Sequence, residues 1–391
     1  MRIFICTGEV SGDLQGSMLI ESLQRYAQAQ GIEIEITGVG GDRMAAAGAK
    51  LLGNTTDLSS VGVLEAVPFI LPTLRLQKRI KDYLAANPPD IFVAIDYPGF
   101  NLTLSQSLRQ QYPDLPIVYY IAPQDWVWQD GVFASLFGHT ERMLASVDHL
   151  LAIFPEEARY FSQKGISVDW VGHPILDRLV NPPQREAVRQ TLGLAESEIA
   201  IALIPASRPQ ELTYILPVIA QAAQKLHAKL PNARFWLPLS LEVYRPKITA
   251  ICRRYDFPIE IFTGNSLDLL AGMDLAITKS GTVNLELALL NVPQVVLYRV
   301  SGFTAWVGQR FKFSIPFMSP PNLVLMKPIL PELLQAEATP ERIVAESLDF
   351  LLNSQRRTQL ATDYGEMRSR LGEVGACDRA AKAILDFKKQ N

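Results

Sequence analysis

The stretch DLAITKSGTVNLELALLNVPQVVLYR, residues 274–299, decides the fold class. Its first apolar run ends at Lys279, Ser280-Gly281-Thr282 makes a tight turn, a helix-like segment follows, and QVVLYR is a second β-rich run. Strand, helix and strand at this spacing form a crossover unit, which is how parallel strands are joined. The turn carries chemistry as well as topology. The first N–H groups of a helix have no partner inside it, so they can be aimed at a phosphate, and Lys279 adds positive charge beside them. Glu286, a turn into the helix, is within reach of a ribose diol. The competing reading is an ordinary strand-to-helix connection.

The pattern extends outward from there. RIFICT, IEIEITGV, DIFVAID, IVYYIA, HLLAIF and VDWVG are β-rich runs in the first half; IAIALIPAS, RFWLPLS, IEIFTG, DLAITKS and QVVLYR form a second series. Continuous apolar strands separated by crossover-length segments indicate parallel sheets covered by helices on both faces. Two series imply two α/β domains, which 391 residues allow. Between them, HPILDRLVNPPQREAVRQTLG carries Pro182 and Pro183 in a polar stretch suited to a connection. The expected domains are 1–175 and 176–340, with 341–391 a charged helical segment that can pack back onto the first. Ligands of open α/β sheets lie outside the carboxyl ends of the strands, here in a cleft between facing domains.

With 48% hydrophobic residues the chain can bury sizeable cores, and Lys plus Arg 37 against Asp plus Glu 40 leave a net charge of −3. That balance argues against the clustered positive field of a non-specific nucleic-acid binder. Cys6, Cys252 and Cys377 form no CxxC pair, and His139, His149, His173 and His227 have no metal-ligand spacing. No metal, cofactor or disulfide is expected, and a reducing compartment suits the cysteines. The N-terminal residues lack the pattern of a secretory signal, and no apolar run reaches the roughly 18 residues of a membrane span. The expected location is cytoplasmic, with any membrane contact peripheral.

GEVSGDLQGS, residues 8–17, is not a dinucleotide fingerprint: that requires G-x-G-x-x-G, whereas Gly8, Gly12 and Gly16 are evenly spaced. Glu9 and Asp13 would also compete with a phosphate for the positive end of a helix. Either Ser11 or Asp13 caps a helix and Glu9 is a solvated loop residue, or Glu9 faces the cleft as a base or hydroxyl-binding group. In DIFVAIDYPGFN, Asp96 follows a buried strand, where partial desolvation suits a proton acceptor; capping a turn is the alternative. IAIALIPASRPQEL ends a strand at Ser207 and Arg208, before a helix starting at Pro209 with Glu211 in its first turn. The Arg208 guanidinium suits a diphosphate, with a surface salt bridge as the competing account. VYYIAPQDWVW begins as a strand and ends in Asp125, Trp126 and Trp128, which line an acceptor pocket or pack the cleft wall. His173 in VGHP reads as a satisfied turn histidine. PTLRLQKRIKDYL reads as a helix with Leu76, Ile80, Tyr83 and Leu84 on one side. Its basic residues form a solvated face or, beside AWVGQRFKFSIPFM, a surface for an anionic bilayer.

Ten segments occur in the order found in the lipid-A-disaccharide synthase family: GEVSGDLQGS, GVGGDRM, VGVLEAV, IDYPGFN, YYIAPQDWVW, VGHP, IPASRPQEL, SGTVNLELAL, VVLYR, and PPNLV followed by PELLQ. The chain resembles that family from its N-terminus to about Gln335. The resemblance implies the GT-B fold, two Rossmann-like domains facing across a cleft. It further implies an inverting, metal-independent transfer of 2,3-diacylglucosamine from UDP to 2,3-diacylglucosamine 1-phosphate, forming the lipid A disaccharide. The implied partners are a UDP-sugar donor, a lipid monosaccharide acceptor and the inner face of a membrane; a homodimer stays open. By position, Glu9 matches the acid of the family's GE-SGD motif and Asp13 its last residue, and Asp96 the first Asp of ID-PDFN. Arg208 matches the Arg of LPGSR, with Ser207 before it. Ser280, Gly281, Thr282 and Glu286 match SGT and its following Glu, and Asn322 the Asn of PNL. On this resemblance Asp96 or Glu9 is the base and Arg208 with the SGT amides stabilises departing UDP. Ser207, Ser280, Gly281, Thr282 and Glu286 then bind substrate, as do Asn322, Asp13 and Trp126, and Lys279 joins them on its own charge and position rather than by resemblance. Four places depart from the family: Gly99 replaces an Asp, Ala206 a Gly, Lys279 a small residue, and Gln129 with Asp130 stand where basic groups are typical. They leave two alternatives, another GT-B glycolipid transferase with a different acceptor and a catalytically silent, membrane-associated UDP-sugar binder.

Overall fold

The apolar runs become parallel strands. The computed structural model describes residues 1–55, 70–128, 138–205, 209–300 and 316–390. Seven strands make one sheet: β1 (Arg2–Cys6), β2 (Glu35–Gly40), β3 (Lys50–Asn54), β4 (Ile91–Ile95), β5 (Ile117–Tyr120), β6 (His149–Ala152) and β7 (Val168–Trp170). Their order is β3-β2-β1-β4-β5-β6-β7, and every neighbouring pair is parallel. All five residues of β4, IFVAI, are buried, because helices cover both faces of a parallel sheet. A second sheet contains β8 (Ile199–Ile204), β9 (Ala233–Pro238), β10 (Ile259–Phe262), β11 (Leu275–Lys279), β12 (Gln294–Tyr298) and β13 (Glu332–Leu334). It is also parallel, ordered β10-β9-β8-β11-β12-β13. Ala200 and Ala202 of β8 pack with Trp236 of β9 and Leu287 in its core.

Each strand order reverses once, between β1 and β4 in the first sheet and between β8 and β11 in the second. Chain segments leave such a pair in opposite directions, so their carboxyl ends border an open crevice where ligands bind.

One compact unit is Met1–Arg178 with Arg370–Asn391; the other is Leu179–Ser369. The segment expected as one piece over 341–391 therefore divides. Helix Pro340–Leu352 packs on helix Leu216–Lys229 of the second unit, whereas helix Ala376–Gln390 packs on helix Val10–Ala29 of the first. Asp177 fixes the start of this last helix by accepting from the N–H groups of Gly375 (2.5 Å), Ala376 (3.2 Å) and Cys377 (2.7 Å). Ala206, Ser207, Arg208, Gln129, Asp130, the VGVLEAV segment and residues 305–315 lie outside the described residues. Among the described residues, no helix is long and apolar enough to cross a membrane, and no group of three or more His, Cys, Asp and Glu is placed to hold a metal ion.

Candidate active site

In the first unit the two candidate acids follow the two strands that flank the reversal: Glu9 comes after β1 and Asp96 directly after β4. Glu9 is the N-cap residue of helix Val10–Ala29, in extended conformation, but its side chain makes no capping hydrogen bond. Neither Ser11 nor Asp13 caps that helix. Asp13 is buried and serves another one: Oδ1 accepts from the N–H groups of Gly41 (2.7 Å) and Met44 (3.0 Å), and Oδ2 from Arg43 (3.2 Å). It thereby supplies the cap that Gly41 cannot give to helix Asp42–Ala46. Asp13, expected from the sequence as a substrate contact, has its carboxylate answered by three main-chain donors. The glycines of the motif are explained by crowding, since a Cβ on Gly8 would lie 2.0 Å from the Tyr97 ring and one on Gly12 would lie 1.8 Å from Thr7 Oγ1.

Asp96 and Tyr97 both have left-handed backbone, with φ of 47° and 49°. Two successive non-glycine residues in that region are strained, and strain of this kind persists only where surrounding contacts enforce it. Here the Asp96 N–H donates to Tyr120 O (3.0 Å), while Asp96 O accepts from Tyr119 Oη (2.6 Å) and Asn101 Nδ2 (2.7 Å). The same Asn101 nitrogen approaches Cys6 O (3.2 Å) and Ile95 O (3.1 Å), tying β1 to β4 at the reversal. At Gly99 a Cβ would meet nothing within 4 Å, so the fold leaves room for a side chain at that position.

Beyond β5, the Ala122 N–H donates to Glu157 Oε1 (2.8 Å), and Glu157 Oε2 accepts from Ile153 (2.9 Å) and Phe154 (3.1 Å). Burial pushes the Glu157 carboxyl up to about 7, against the pull of those three N–H groups, and the Asp96 charge adds a smaller push. Trp126 is buried against Phe154 (ring centroids 5.6 Å), which packs edge-on to His173 (5.2 Å). Asp125 accepts from Thr140 Oγ1 (3.0 Å) and pairs with His139 Nδ1 (3.1 Å). His173 Nδ1 accepts the Ile175 N–H (3.1 Å), and burial lowers its pKa to about 3, so the ring is neutral. Positive charge also gathers in this unit: Arg178 is lowered to about 10, first by burial and then by Arg43.

In the second unit, the strands flanking the reversal end at the two stretches the sequence picks out for phosphate. β8 leads to the segment containing Ser207 and Arg208, which is outside the described residues, and β11 ends at Lys279. Lys279 Nζ lies 3.7 Å from Glu211 Oε1 and leans over the turn, within 2.6 Å of where a Cβ on Gly281 would stand. The Ser280 N–H donates to Leu297 O (3.1 Å) and the Gly281 N–H to Asn284 Oδ1 (2.7 Å). Two of the SGT amides are thus already used inside the fold. Among the described residues, the Thr282 and Val283 N–H groups have no acceptor. Glu286 is buried in helix Val283–Leu289.

Asn322 is drawn into a staple of its own. Its Nδ2 donates to Leu330 O (3.0 Å) and Glu332 Oε1 (2.8 Å), and its Oδ1 accepts from Leu330 N (2.9 Å). Glu332 also accepts from Met318 N (2.7 Å), Ser319 N (2.8 Å) and Ser319 Oγ (2.6 Å), and Ser280 Oγ donates to Met318 O (2.5 Å). Ser280 and Asn322 therefore meet through one network centred on Glu332, a residue that no motif in the sequence marks. Asn322, a substrate contact by resemblance, has its amide occupied by the protein itself. The signal that could have found Glu332 is weak, a lone acid in an apolar run ten residues beyond Asn322.

Comparison with known proteins agrees with this layout. The chain is 56% identical over 388 residues to a lipid-A-disaccharide synthase of Gloeothece citriformis, covering 99% of this chain and 100% of that one. It is 51% identical to one from Synechocystis (99% and 98% covered) and 42% identical to one from Prochlorococcus marinus (100% of both). Among solved structures it resembles the UDP-GlcNAc 2-epimerase of Neisseria meningitidis bound to UDP-GlcNAc, with TM-score 0.58, 13% identity and 100% of both chains covered. It also resembles the calicheamicin glycosyltransferase CalG4, with TM-score 0.60, 14% identity and coverage of 100% and 98%. At such identities these likenesses establish the fold, the GT-B architecture of two Rossmann-like domains. The match to the lipid-A-disaccharide synthetase family runs over residues 3–387, and the chain belongs to that family.

Proposed function

We propose that the protein is a lipid-A-disaccharide synthase, transferring 2,3-diacylglucosamine from UDP to 2,3-diacylglucosamine 1-phosphate. Identity of 56% across essentially the whole of both chains carries this assignment, because a two-substrate transfer needs both domains. In the mechanism, an acceptor hydroxyl attacks the donor's anomeric carbon from the face opposite UDP and gives its proton to a carboxylate. The bond to the UDP oxygen breaks with its electron pair, and the configuration inverts. Asp96 is the base, supported by the enforced strain at its backbone, and Glu9 at the adjoining strand end orients the hydroxyl. Lys279, Arg208 and the Thr282 and Val283 amides stabilise the leaving diphosphate without a metal, the fixed-charge effect that dominates many enzymes. Arg43 and Arg178 offer positive charge for the acceptor's phosphate. Leu71 and Leu74 are exposed on helix Ile70–Ala86 beside exposed Arg75, Lys78 and Arg79, which supports a peripheral contact with an anionic bilayer.

The test is turnover of Asp96→Asn and Glu9→Gln with UDP-diacylglucosamine and the lipid monosaccharide phosphate, products read by mass spectrometry. Asp96→Asn should lower kcat by roughly 10³-fold with UDP binding intact, the usual loss when a general base is removed. Glu9→Gln should mainly raise the acceptor KM. Near-normal rates in both would overturn the acid assignment, and a wild-type protein that binds UDP yet forms no disaccharide would favour the silent binder.

A further inference from the structure

The SGT turn is the visible end of a buried hydrogen-bond chain. Asn284 Oδ1 accepts the Gly281 N–H (2.7 Å), so its Nδ2 must face the other way, toward Gln294 Oε1 (2.8 Å) and Lys279 O (3.4 Å). That orientation fixes the next amide: Gln294 Nε2 donates to Asn284 O (2.9 Å) and to Tyr364 Oη (3.2 Å). The phenol in turn donates to Val292 O (3.2 Å). Asn284 and Gln294 are 0% exposed and Tyr364 1%, and burial keeps the phenol protonated far above its ordinary range. Every donor of the two amides has an acceptor, so neither can flip without burying a donor against a donor.

The chain spans four elements: the turn after β11, the start of helix Val283–Leu289, the start of β12, and helix Ser354–Arg370. The last of these also holds the other end of the donor-side helix, because Arg368 Nη2 donates to Leu289 O (2.5 Å). The helix after which the chain crosses from one unit to the other thus bonds the carboxyl end of helix Val283–Leu289 directly and reaches its start through Gln294.

We infer that Asn284, Gln294 and Tyr364 are positioning residues for the nucleotide diphosphate: by holding the Gly281 N–H inward, they fix the turn so that the Thr282 and Val283 N–H groups are the ones presented to the ligand. The inference rests on the donor site proposed above. Tyr364 acts through two intermediaries and touches no substrate. The hydroxyl it contributes is matched to the turn rather than to general packing, since its ring would fill the same space as phenylalanine.

The test uses the full chain. UDP is titrated by calorimetry into wild type, Tyr364→Phe and Asn284→Ala, and steady-state KM is measured separately for the UDP-sugar donor and the lipid acceptor. Removing a link should raise the UDP Kd and the donor KM about fivefold in Tyr364→Phe and about tenfold in Asn284→Ala, the scale of one lost buried hydrogen bond. The acceptor KM should stay within about twofold, whereas kcat should fall along with donor binding, because the same amides stabilise the departing diphosphate. A lower Tm with unchanged UDP Kd would show mere structural support and overturn the inference. A wild type that fails to bind UDP would overturn the donor site itself, and the inference with it. Should Asn284→Ala not fold, Tyr364→Phe decides alone, since it deletes one oxygen.

Discussion

Asp13 and Glu9 lie four residues apart in one motif and do different work. The Asp13 carboxylate receives three main-chain donors and is buried, whereas the Glu9 carboxylate makes no cap bond to the helix it opens. Replacing Asp13 by Ala leaves three N–H groups without their acceptor, at about 3 kcal/mol. The expected outcome is a lower denaturation midpoint with unchanged KM for both substrates in the folded fraction. A raised KM at unchanged stability would instead make Asp13 a ligand. Residue types in the motif could not separate the two acids, because the partners of Asp13 stand 28 to 31 residues away, beyond any local pattern. Asn322 was illegible for the same reason: its amide is satisfied by Leu330 and Glu332, and only the folded register of β13 brings them to it.

At the scale of elements, the interior strands were readable and two edges were not. β4 and β8 are near-continuous apolar runs because both faces are covered, but β3 (KLLGN) and β13 (ELL) are edge strands, exposed at both ends in β3 and at Leu334 in β13, and neither shows such a run. Strand order was equally hidden, so the placement of Glu9 and Asp96 on either side of one reversal emerged only from the fold. Glu157 joins elements in a way that pH can reveal. Its folded value of about 7 lies above its ordinary 4.5, so the folded state holds a proton that the unfolded chain releases between those values. Stability from this group is therefore full below about 4.5 and lost as pH rises through 7, a span of about 3 kcal/mol. His173 acts oppositely, since its folded value of about 3 lies below 6.5 and acid favours the unfolded chain. Comparing wild type with Glu157→Gln cancels the histidine. The Tm of wild type relative to that variant should rise as pH is lowered from 8 to 5; a flat difference would mean that Glu157 is ionised throughout.

On the scale of the molecule, the first unit is discontinuous: its last helix, Ala376–Gln390, arrives only after the chain has built the whole second unit. That helix buries Ala376, Ala380, Ala381, Ile384 and Leu385 at 1% exposure or less, much of it against helix Val10–Ala29. Burial of Ile384 and Leu385 alone is worth roughly 3 to 6 kcal/mol. The alanines and the uncovered face of helix Val10–Ala29 add to this, so the sum is comparable with the whole stability of an ordinary domain. The exposed Arg25–Asp378 pair (2.5 Å) adds little, being open to solvent on both sides. Truncation after Gly375 should therefore unfold the first unit while the second, a compact unit over Leu179–Ser369, stays folded. Limited proteolysis with mass spectrometry checks this directly: the truncated chain should yield a resistant fragment close to 179–369 at a protease dose that leaves the full chain intact. Simultaneous digestion of both units would show that they fold as one cooperative body, and equal resistance of the truncated chain would show that the final helix is dispensable to the first sheet.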